Sequence, residues 1–194
     1  MSSLRIVSIP EPLTEPIASQ MAKLIPKGMP APKLFLSVAR NASLFAFMVE
    51  SGLIGPTGLM DRRTLTKDVR ETLILRTCVA TGNDYEFNLH VQTISARMGL
   101  SAAQIDDVRS EQMSSALWRD ELLILVKLVD ALVKHLNVSD ELYASIRQHF
   151  SEEELIEITQ LIGLYNGVAM MVALIRPEFD RYQPGPVFTV SKQS

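Results

Sequence analysis

Apolar residues recur at helical spacing along most of the chain, and the strict alternation that marks a half-buried strand is nearly absent. The strongest pattern predicts a helix from about Thr66 to Ala80, which Thr81-Gly82 ends. A second helix is predicted from Asp84 to Met98, with Gly99 as its C-terminal cap. A third, over 119–135, carries its leucines and valines on one stripe. The pattern therefore predicts an all-α fold.

Turn residues and capping pairs delimit the remaining helices. The stretches from Ser101 to Gln104 and from Ser151 to Glu154 both match the capping-box pattern at a helix N-terminus. Further helices are predicted over 15–24, over 33–53 with a break near Asn41, from Ser101, over 139–150 and from Ser151 to Ile175. Because no long linker separates these elements, we expect one helical-bundle domain over 1–194 with six to eight helices, an extended arm over 1–14 and a tail over 182–194.

The segment from Ile158 to Ile175 carries no formal charge over 18 residues, which approaches the length of a membrane span. It also contains Gln160, Asn166 and two glycines, and acidic residues lead straight into it. We interpret it as a central helix buried on most sides by its neighbours, and as a candidate subunit interface. No membrane partner is expected.

Composition narrows the function classes. The 194 residues are 47% hydrophobic, enough for one sizeable core, and a net charge of −3 with a pI of about 5.7 gives no electrostatic footprint for nucleic acid. The single cysteine, Cys78, excludes an intramolecular disulfide, and the three histidines lack metal-ligand spacing. No phosphate loop or nucleotide fingerprint occurs, so we expect neither a metal nor an organic cofactor. The N-terminal stretch lacks the apolar region of a secretory signal, so a cytoplasmic location is expected.

The stretch GNDYEFNLH, from Gly82 to His90, admits two interpretations. In one, Asn83 caps a helix, Glu86 completes a capping box, and no catalysis is involved. In the other, Glu86 and His90 share a helix face, and Glu71 on the preceding helix meets His90 across the tight Thr81-Gly82 connection. A buried histidine beside carboxylates can carry protons.

Several sequence motifs resemble the carboxymuconolactone decarboxylase superfamily, which includes the alkylhydroperoxidase D-like proteins. The resemblance is best over 66–110, where Arg70-Glu71-Thr72-Leu73-Ile74-Leu75-Arg76 precedes the Glu-x-x-x-His of Glu86 and His90. It continues more weakly at His135-Leu136-Asn137-Val138-Ser139-Asp140 and Leu164-Tyr165-Asn166-Gly167, and covers about two thirds of the chain. It implies an all-helical bundle of the alkylhydroperoxidase D-like type and association of the chain with itself, from dimer to hexamer.

The resemblance also divides the chemistry between two branches. Against the peroxidase pattern Glu-x11-Cys-x2-Cys-x3-His, Glu71 and His90 take the proton-relay positions, while Asn83 and Glu86 stand where the two cysteines would be. A dithiol cycle is therefore not expected. The decarboxylase branch carries Glu-x-x-x-His without the cysteines.

For this branch we expect cofactor-free decarboxylation or isomerisation of a small carboxylated or lactone-like substrate. The candidate catalytic residues are Glu71, Glu86 and His90, with Tyr85 as an optional hydrogen-bond donor. Arg70 or Arg76 would attract the substrate carboxylate, unless both are solvated surface charges. Two alternatives stay open: an antioxidant activity as in the cysteine-bearing relatives, and a non-catalytic oligomeric binding protein.

Overall fold

The computed structural model describes residues 4–190, and these form nine α-helices, one 3₁₀ helix and no strand. The all-α prediction is confirmed, with one α-helix more than the upper end of the expected range. The α-helices are α1 (Ile17–Leu24), α2 (Lys33–Val38), α3 (Ala42–Glu50), α4 (Lys67–Thr81), α5 (Asp84–Thr93), α6 (Ala102–Asp107), α7 (Asp120–His135), α8 (Asp140–Ile146) and α9 (Glu152–Ile175), and the 3₁₀ helix is Ser95–Met98.

The predicted helix boundaries agree with the caps that the structure contains. Asn41 separates α2 from α3 and accepts a hydrogen bond from the Leu44 amide at 3.2 Å. Ser101 opens α6 with a complete capping box, and the Ser151–Glu154 pair forms the same box at the start of α9.

Two predicted helices are shorter than their apolar patterns suggested. The helix predicted over 84–98 ends at Thr93 and continues as the 3₁₀ helix, because Ile94 leaves the helical region at φ −127°. The helix predicted over 139–150 ends at Ile146, and turns continue to Phe150. Directly after the first of these breaks, the Ser95 hydroxyl donates a hydrogen bond to Glu71.

Backbone contacts divide the chain into two compact units. Among the described residues, the first unit contains 4–64 together with Met171–Asp180, and the second contains Leu65–Met170 and 181–190. The single-domain interpretation stays a prediction. Residues 1–3 of the predicted arm and 191–194 of the predicted tail lie outside the described residues.

Each unit has its own apolar interior. In the first, α1 packs on α3, and the core comprises Met21, Leu36, Ala39, Phe45, Met48, Val49 and Ile54. In the second, α4 packs against α7, α5 and the 3₁₀ helix, and α7 packs against α8. Every residue of α4 from Val69 to Cys78 is buried, including Arg70, Glu71 and Arg76. The helix α4 therefore carries three charged side chains into the interior of the second unit.

The expectation that Arg70 and Arg76 are solvated surface charges is wrong, because both are buried. The Arg76 guanidinium forms a two-point ion pair with the Asp130 carboxylate on α7, at 2.8 Å and 2.5 Å. Its remaining amino group donates to the carbonyls of Val108 and Ser110. Since these contacts occupy the guanidinium, Arg76 ties α4 to α7 and is not available to a substrate.

By length and composition alone, the helix α9 could cross a membrane. Only 33% of its most apolar 18-residue window is buried. The interpretation as a helix buried on most sides is therefore wrong for the single chain. Ile156 and Met170 are exposed at 67% and 69%. The cytoplasmic location stays a prediction.

Candidate acid–base site

The turn between α4 and α5 brings Glu71 and His90 together. Gly82 adopts the left-handed conformation at φ 68°, and the Asn83 amide donates to the Cys78 carbonyl at 2.8 Å, so the chain reverses within two residues. The two helices then pack against each other, with His90 Nδ1 at 3.0 Å and 3.2 Å from the two carboxylate oxygens of Glu71. The contact expected from the sequence is present.

Three further side chains complete the cluster around this pair. The Ser95 hydroxyl donates to Glu71 Oε1 at 2.6 Å. On the other side of the imidazole, His90 Nε2 lies 3.3 Å from the Tyr165 hydroxyl of α9 and 3.5 Å from Glu86 Oε1. All five side chains belong to the second unit, and none is more than 5% exposed. We call Glu71, Glu86, His90, Ser95 and Tyr165 the acid–base cluster.

Burial and charge act in opposite directions on the pair. Burial alone would lower the pKa of His90, but the charge and hydrogen bond of Glu71, together with Glu86, raise it to about 10. Burial alone would raise the pKa of Glu71, but the charge and hydrogen bond of His90, aided by Ser95 and Arg70, leave it below its ordinary value. At neutral pH the pair is therefore imidazolium and carboxylate. Both ring nitrogens then carry a proton: Nδ1–H donates to Glu71, and Nε2–H faces Glu86 and Tyr165.

The first turn of α5 keeps one half of the expected capping arrangement. Asn83 Oδ1 accepts from the Glu86 amide at 3.2 Å, so the predicted cap is present. The Glu86 side chain does not reach back to the Asn83 amide, which donates to the Cys78 carbonyl, and instead turns towards His90. Glu86 Oε2 and Asn83 Nδ2 are buried without a hydrogen-bond partner among the described residues. These two side chains therefore offer an acceptor and a donor that the fold itself does not use.

The other candidates from the sequence take different places. Cys78 is buried, and burial, with the negative charges of Glu86 and Glu71, raises the pKa of its thiol well above the ordinary value. Tyr85 is buried in α5, and its assignment as a hydrogen-bond donor stays a prediction. The Arg70 guanidinium donates to Met98 Sδ at 3.0 Å, and its charge helps to lower the pKa of Glu71. Of the two arginines, Arg70 is thus the one that acts on the cluster.

Sequence reasoning did not assign roles to Ser95 and Tyr165. Ser95 lies on the helix face that continues from His90, so its position was a usable signal. Tyr165 lies in α9, 75 residues from His90, and no local spacing connects the two. Its phenol contacts the imidazole edge-on, with ring centroids 5.5 Å apart.

Comparison with known proteins identifies the scaffold. No protein-family model and no curated protein matches the sequence. The structure is similar to a crystal structure from Agrobacterium tumefaciens, described as a protein of unknown function and a candidate antioxidant defence protein, AhpD. The two share 25% sequence identity at a TM-score of 0.63, over 74% of this chain and 96% of the other. The chain therefore has an alkylhydroperoxidase D-like fold, which supports the resemblance seen in its sequence motifs.

Within the alkylhydroperoxidase D-like superfamily, the expected motif positions can now be placed in space. Glu71 and His90, which the sequence resemblance places at the relay positions, are in direct contact. Asn83 and Glu86, which it places at the two cysteine positions, lie at the start of α5 beside them. The fold is thus alkylhydroperoxidase D-like, and an amide and a carboxylate stand where the resemblance expects two thiols.

Proposed function

We propose that this alkylhydroperoxidase D-like protein is a cofactor-free enzyme that protonates a carbanion or enolate formed on a small carboxylated or lactone-like substrate. His90 Nε2 is the proton donor and Glu71 holds the imidazolium through Nδ1. The observation that carries the proposal is the pair itself, a buried imidazolium with one ring nitrogen on a carboxylate at 3.0 Å and the other directed at Glu86 and Tyr165.

The charge state favours an acid over a base. Because the pKa of His90 is raised to about 10, the ring carries its proton throughout the neutral range. A protonated imidazole can donate to carbon, but it cannot take up a proton until it has given one away. Glu71, whose carboxylate accepts from the Ser95 hydroxyl, holds the ring in one orientation, which is the positioning that proton transfer needs.

In decarboxylation, the bond between the carboxylate carbon and the neighbouring substrate carbon breaks. Carbon dioxide leaves, and the electron pair stays on the substrate carbon as a carbanion or enolate. His90 Nε2 transfers its proton to that carbon and becomes neutral, while Nδ1–H remains on Glu71. The imidazole regains a proton from solvent, so the cycle consumes one proton and releases one carbon dioxide. In isomerisation, Nε2 first donates its proton to one carbon, and the neutral imidazole then removes a proton from a different carbon, which restores the imidazolium.

Glu86 supports this assignment through its unused oxygen. Glu86 Oε2 is a buried acceptor without a partner among the described residues, and it belongs to the carboxylate whose other oxygen faces His90 Nε2. A substrate hydroxyl or enol that donates to Glu86 Oε2 would lie close to the proton on His90. Arg70 supplies the positive charge that compensates one of the two carboxylates.

The test uses carboxymuconolactone as the probe, with carbon dioxide release as the measurement. We expect His90→Gln to lower turnover by roughly 100-fold or more, the typical contribution of a positioned proton donor. His135→Gln, the same change at an exposed histidine, should retain turnover. Helical circular dichroism verifies that each variant is folded. Full turnover by folded His90→Gln would refute the proposal.

Two other functions remain as alternatives. A non-catalytic binding protein is favoured by the burial of the whole cluster, and a wild-type protein without turnover on any carboxylated lactone would support it. A thiol antioxidant activity is opposed by the raised pKa and burial of Cys78. Peroxide reduction that is lost in Cys78→Ser would support that second alternative.

The proposal includes association of the chain with itself, as a dimer up to a hexamer. The support is the largely uncovered apolar window of α9, including exposed Ile156 and Met170. Light scattering on the wild type and on Ile156→Glu tests it. A monomeric wild type would contradict this part alone.

A further inference from the structure

The C-terminal residues 182–190 lie in extended, irregular backbone along one face of α5. That face consists of Asp84, Asn88 and Gln92, which recur every four residues and therefore form one row on the helix. We call this row the α5 outer row, and residues 182–190 the strap. Both belong to the second unit.

The contacts from the outer row to the strap are made to backbone groups. Asn88 Nδ2 donates to the Phe188 carbonyl, and the Phe188 amide donates to Asn88 Oδ1, both at 2.7 Å. The Val190 amide donates to Asp84 Oδ1 at 2.7 Å, and the Tyr182 amide donates to Gln92 Oε1 at 3.0 Å. The second hydrogen of Asn88 Nδ2 goes to the Asp84 carbonyl, so the amide is fully used. The side chains of Asp84, Asn88 and Gln92 thus make the hydrogen bonds to the strap backbone that the main chain of a neighbouring strand would make.

Two side chains of the strap add selectivity. The Phe188 ring packs edge-on against Phe87, with ring centroids 6.0 Å apart. The Arg109 guanidinium lies over the Phe188 ring, 5.0 Å from its centroid. Arg109 also donates to the Thr189 carbonyl at 3.3 Å. Val190 is 3% exposed, so an aliphatic residue two positions after the aromatic one is buried as well.

The outer row lies on the opposite side of α5 from Glu86 and His90. Successive helical residues are about 100° apart, so positions 86 and 88 point in directions about 200° apart. The strap therefore contacts α5 on the side opposite to the one that carries Glu86 and His90 of the acid–base cluster.

We propose that the α5 outer row is a peptide-binding surface for extended backbone, that the strap occupies it within the same chain, and that this contact positions Glu86 and His90. The surface accepts a segment with an aromatic residue followed two positions later by an aliphatic one. The proposal does not depend on which substrate the enzyme takes. A failure of carboxymuconolactone turnover leaves it standing.

The first test separates the strap from its surface. A chain that ends at Asp180 is mixed with a fluorescein-labelled peptide of sequence RYQPGPVFTV, residues 181–190, and binding is measured by fluorescence anisotropy. We expect saturable binding, and affinity about tenfold or more weaker with Asn88→Leu, which removes both hydrogen bonds to Phe188. Asn137→Leu, the same change at an exposed asparagine, should bind as the unsubstituted chain does. Equal affinity for Asn88→Leu, or no binding by a folded shortened chain, would overturn the proposal.

A second measurement uses the full chain and does not require the shortened one to fold. In Asn88→Leu, the amides of Phe188 and Val190 should exchange hydrogen for deuterium at least about tenfold faster than in Asn137→Leu. Unchanged exchange would overturn the proposal. So would a light-scattering mass that falls to that of one chain when residues 181–194 are removed, because the strap would then bind a second copy.

The positioning role has its own measurement. The ring nitrogens of His90 are followed against pH by NMR in ¹⁵N-histidine-labelled full chain, with His90→Gln for assignment. We expect a lower titration midpoint for His90 in Asn88→Leu than in Asn137→Leu. A less firmly held α5 should weaken the contact between His90 and Glu71, which lies on α4. The titratable groups facing His90 are Glu71 from α4, Glu86 from α5 and Tyr165 from α9. Arg70 from α4 acts on Glu71 and Tyr165, and Cys78 from α4 acts on Tyr165. An unchanged midpoint in a folded protein would refute the positioning role.

Discussion

The wild-type protein should lose stability as the pH rises above 6.5, and replacing Glu71 and His90 together by glutamine should remove that loss. The pKa of His90 in the folded protein is about 10, against an ordinary value of 6.5. A group whose folded pKa is raised contributes its full stabilisation below the unfolded value and loses it as the pH rises through the folded value. The window of loss therefore runs from 6.5 to about 10.

The magnitude follows from the same two values. One pKa unit corresponds to about 1.4 kcal/mol, so the whole rise of His90 sets an upper bound of roughly 5 kcal/mol. Cys78 begins to ionise in the unfolded chain near 9.0, which adds a second dependence above that pH. Between pH 6.5 and 9 the expected loss is roughly 3 kcal/mol, a substantial part of the 5–15 kcal/mol typical of a domain.

Urea denaturation at half-unit steps of pH measures the free energy of unfolding for both proteins. The double variant is the correct reference, because His90→Gln alone leaves a buried Glu71 carboxylate that would itself take up a proton. His135 and His149 are present in both proteins, so their contributions cancel. A difference between the two proteins that stays constant from pH 6.5 to 9 would refute the ion pair.

The acid limb gives the opposite sign. Because the pKa of Glu71 is lowered in the folded protein, its stabilisation is present above the ordinary value of 4.5 and is lost as the pH falls through the folded value. The double variant should lack this acid-side loss as well. The contribution of the pair is therefore greatest between about pH 4.5 and 6.5.

Three further predictions concern other buried groups. Arg76→Met should lower the free energy of unfolding by roughly 1–3 kcal/mol, because the carbonyls of Val108 and Ser110 lose their donor while Lys134 still pairs with Asp130. Lys27→Met at the surface should have little effect in the same urea titration. Asn83→Ala should cost about 1 kcal/mol through loss of the cap, and a smaller change than at exposed Asn41 would contradict the role of its side chain. Cys78 should not react with a thiol reagent in the native protein and should react fully in urea, because its thiol is buried and its pKa is raised; rapid native labelling would show an accessible thiolate.

Local signals predicted most of the helices because several of their boundaries have a local cause. Asn41, Ser101 and Ser151 all cap the helices that their positions indicated. The contact between Glu71 and His90 was also predictable, because a two-residue turn after Thr81 leaves little freedom in how α4 and α5 pack. These features depend on interactions within about twenty residues.

Features that depend on distant segments were not predictable in the same way. The Tyr165 phenol reaches His90 from α9, and the partner of Arg76 is Asp130 on α7, 54 residues away. Nothing in the spacing around Arg76 distinguishes a buried arginine from an exposed one. The break at Ile94 likewise has no signal in the local spacing, although the Ser95 hydroxyl directly after it contacts Glu71 on the preceding helix.

The helix α4 contributes to two charged clusters, and the fold satisfies the hydrogen bonds of one more completely than those of the other. Arg76 uses its guanidinium on one carboxylate and two carbonyls, as a structural ion pair does. The Glu86 side chain, by contrast, does not accept from the Asn83 amide. It faces His90 and keeps one buried oxygen without a partner among the described residues. An unsatisfied buried acceptor costs about 1–3 kcal/mol, more when it is charged. Stability alone does not account for such an arrangement, and departures from local rules of this kind concentrate where a protein does its chemistry.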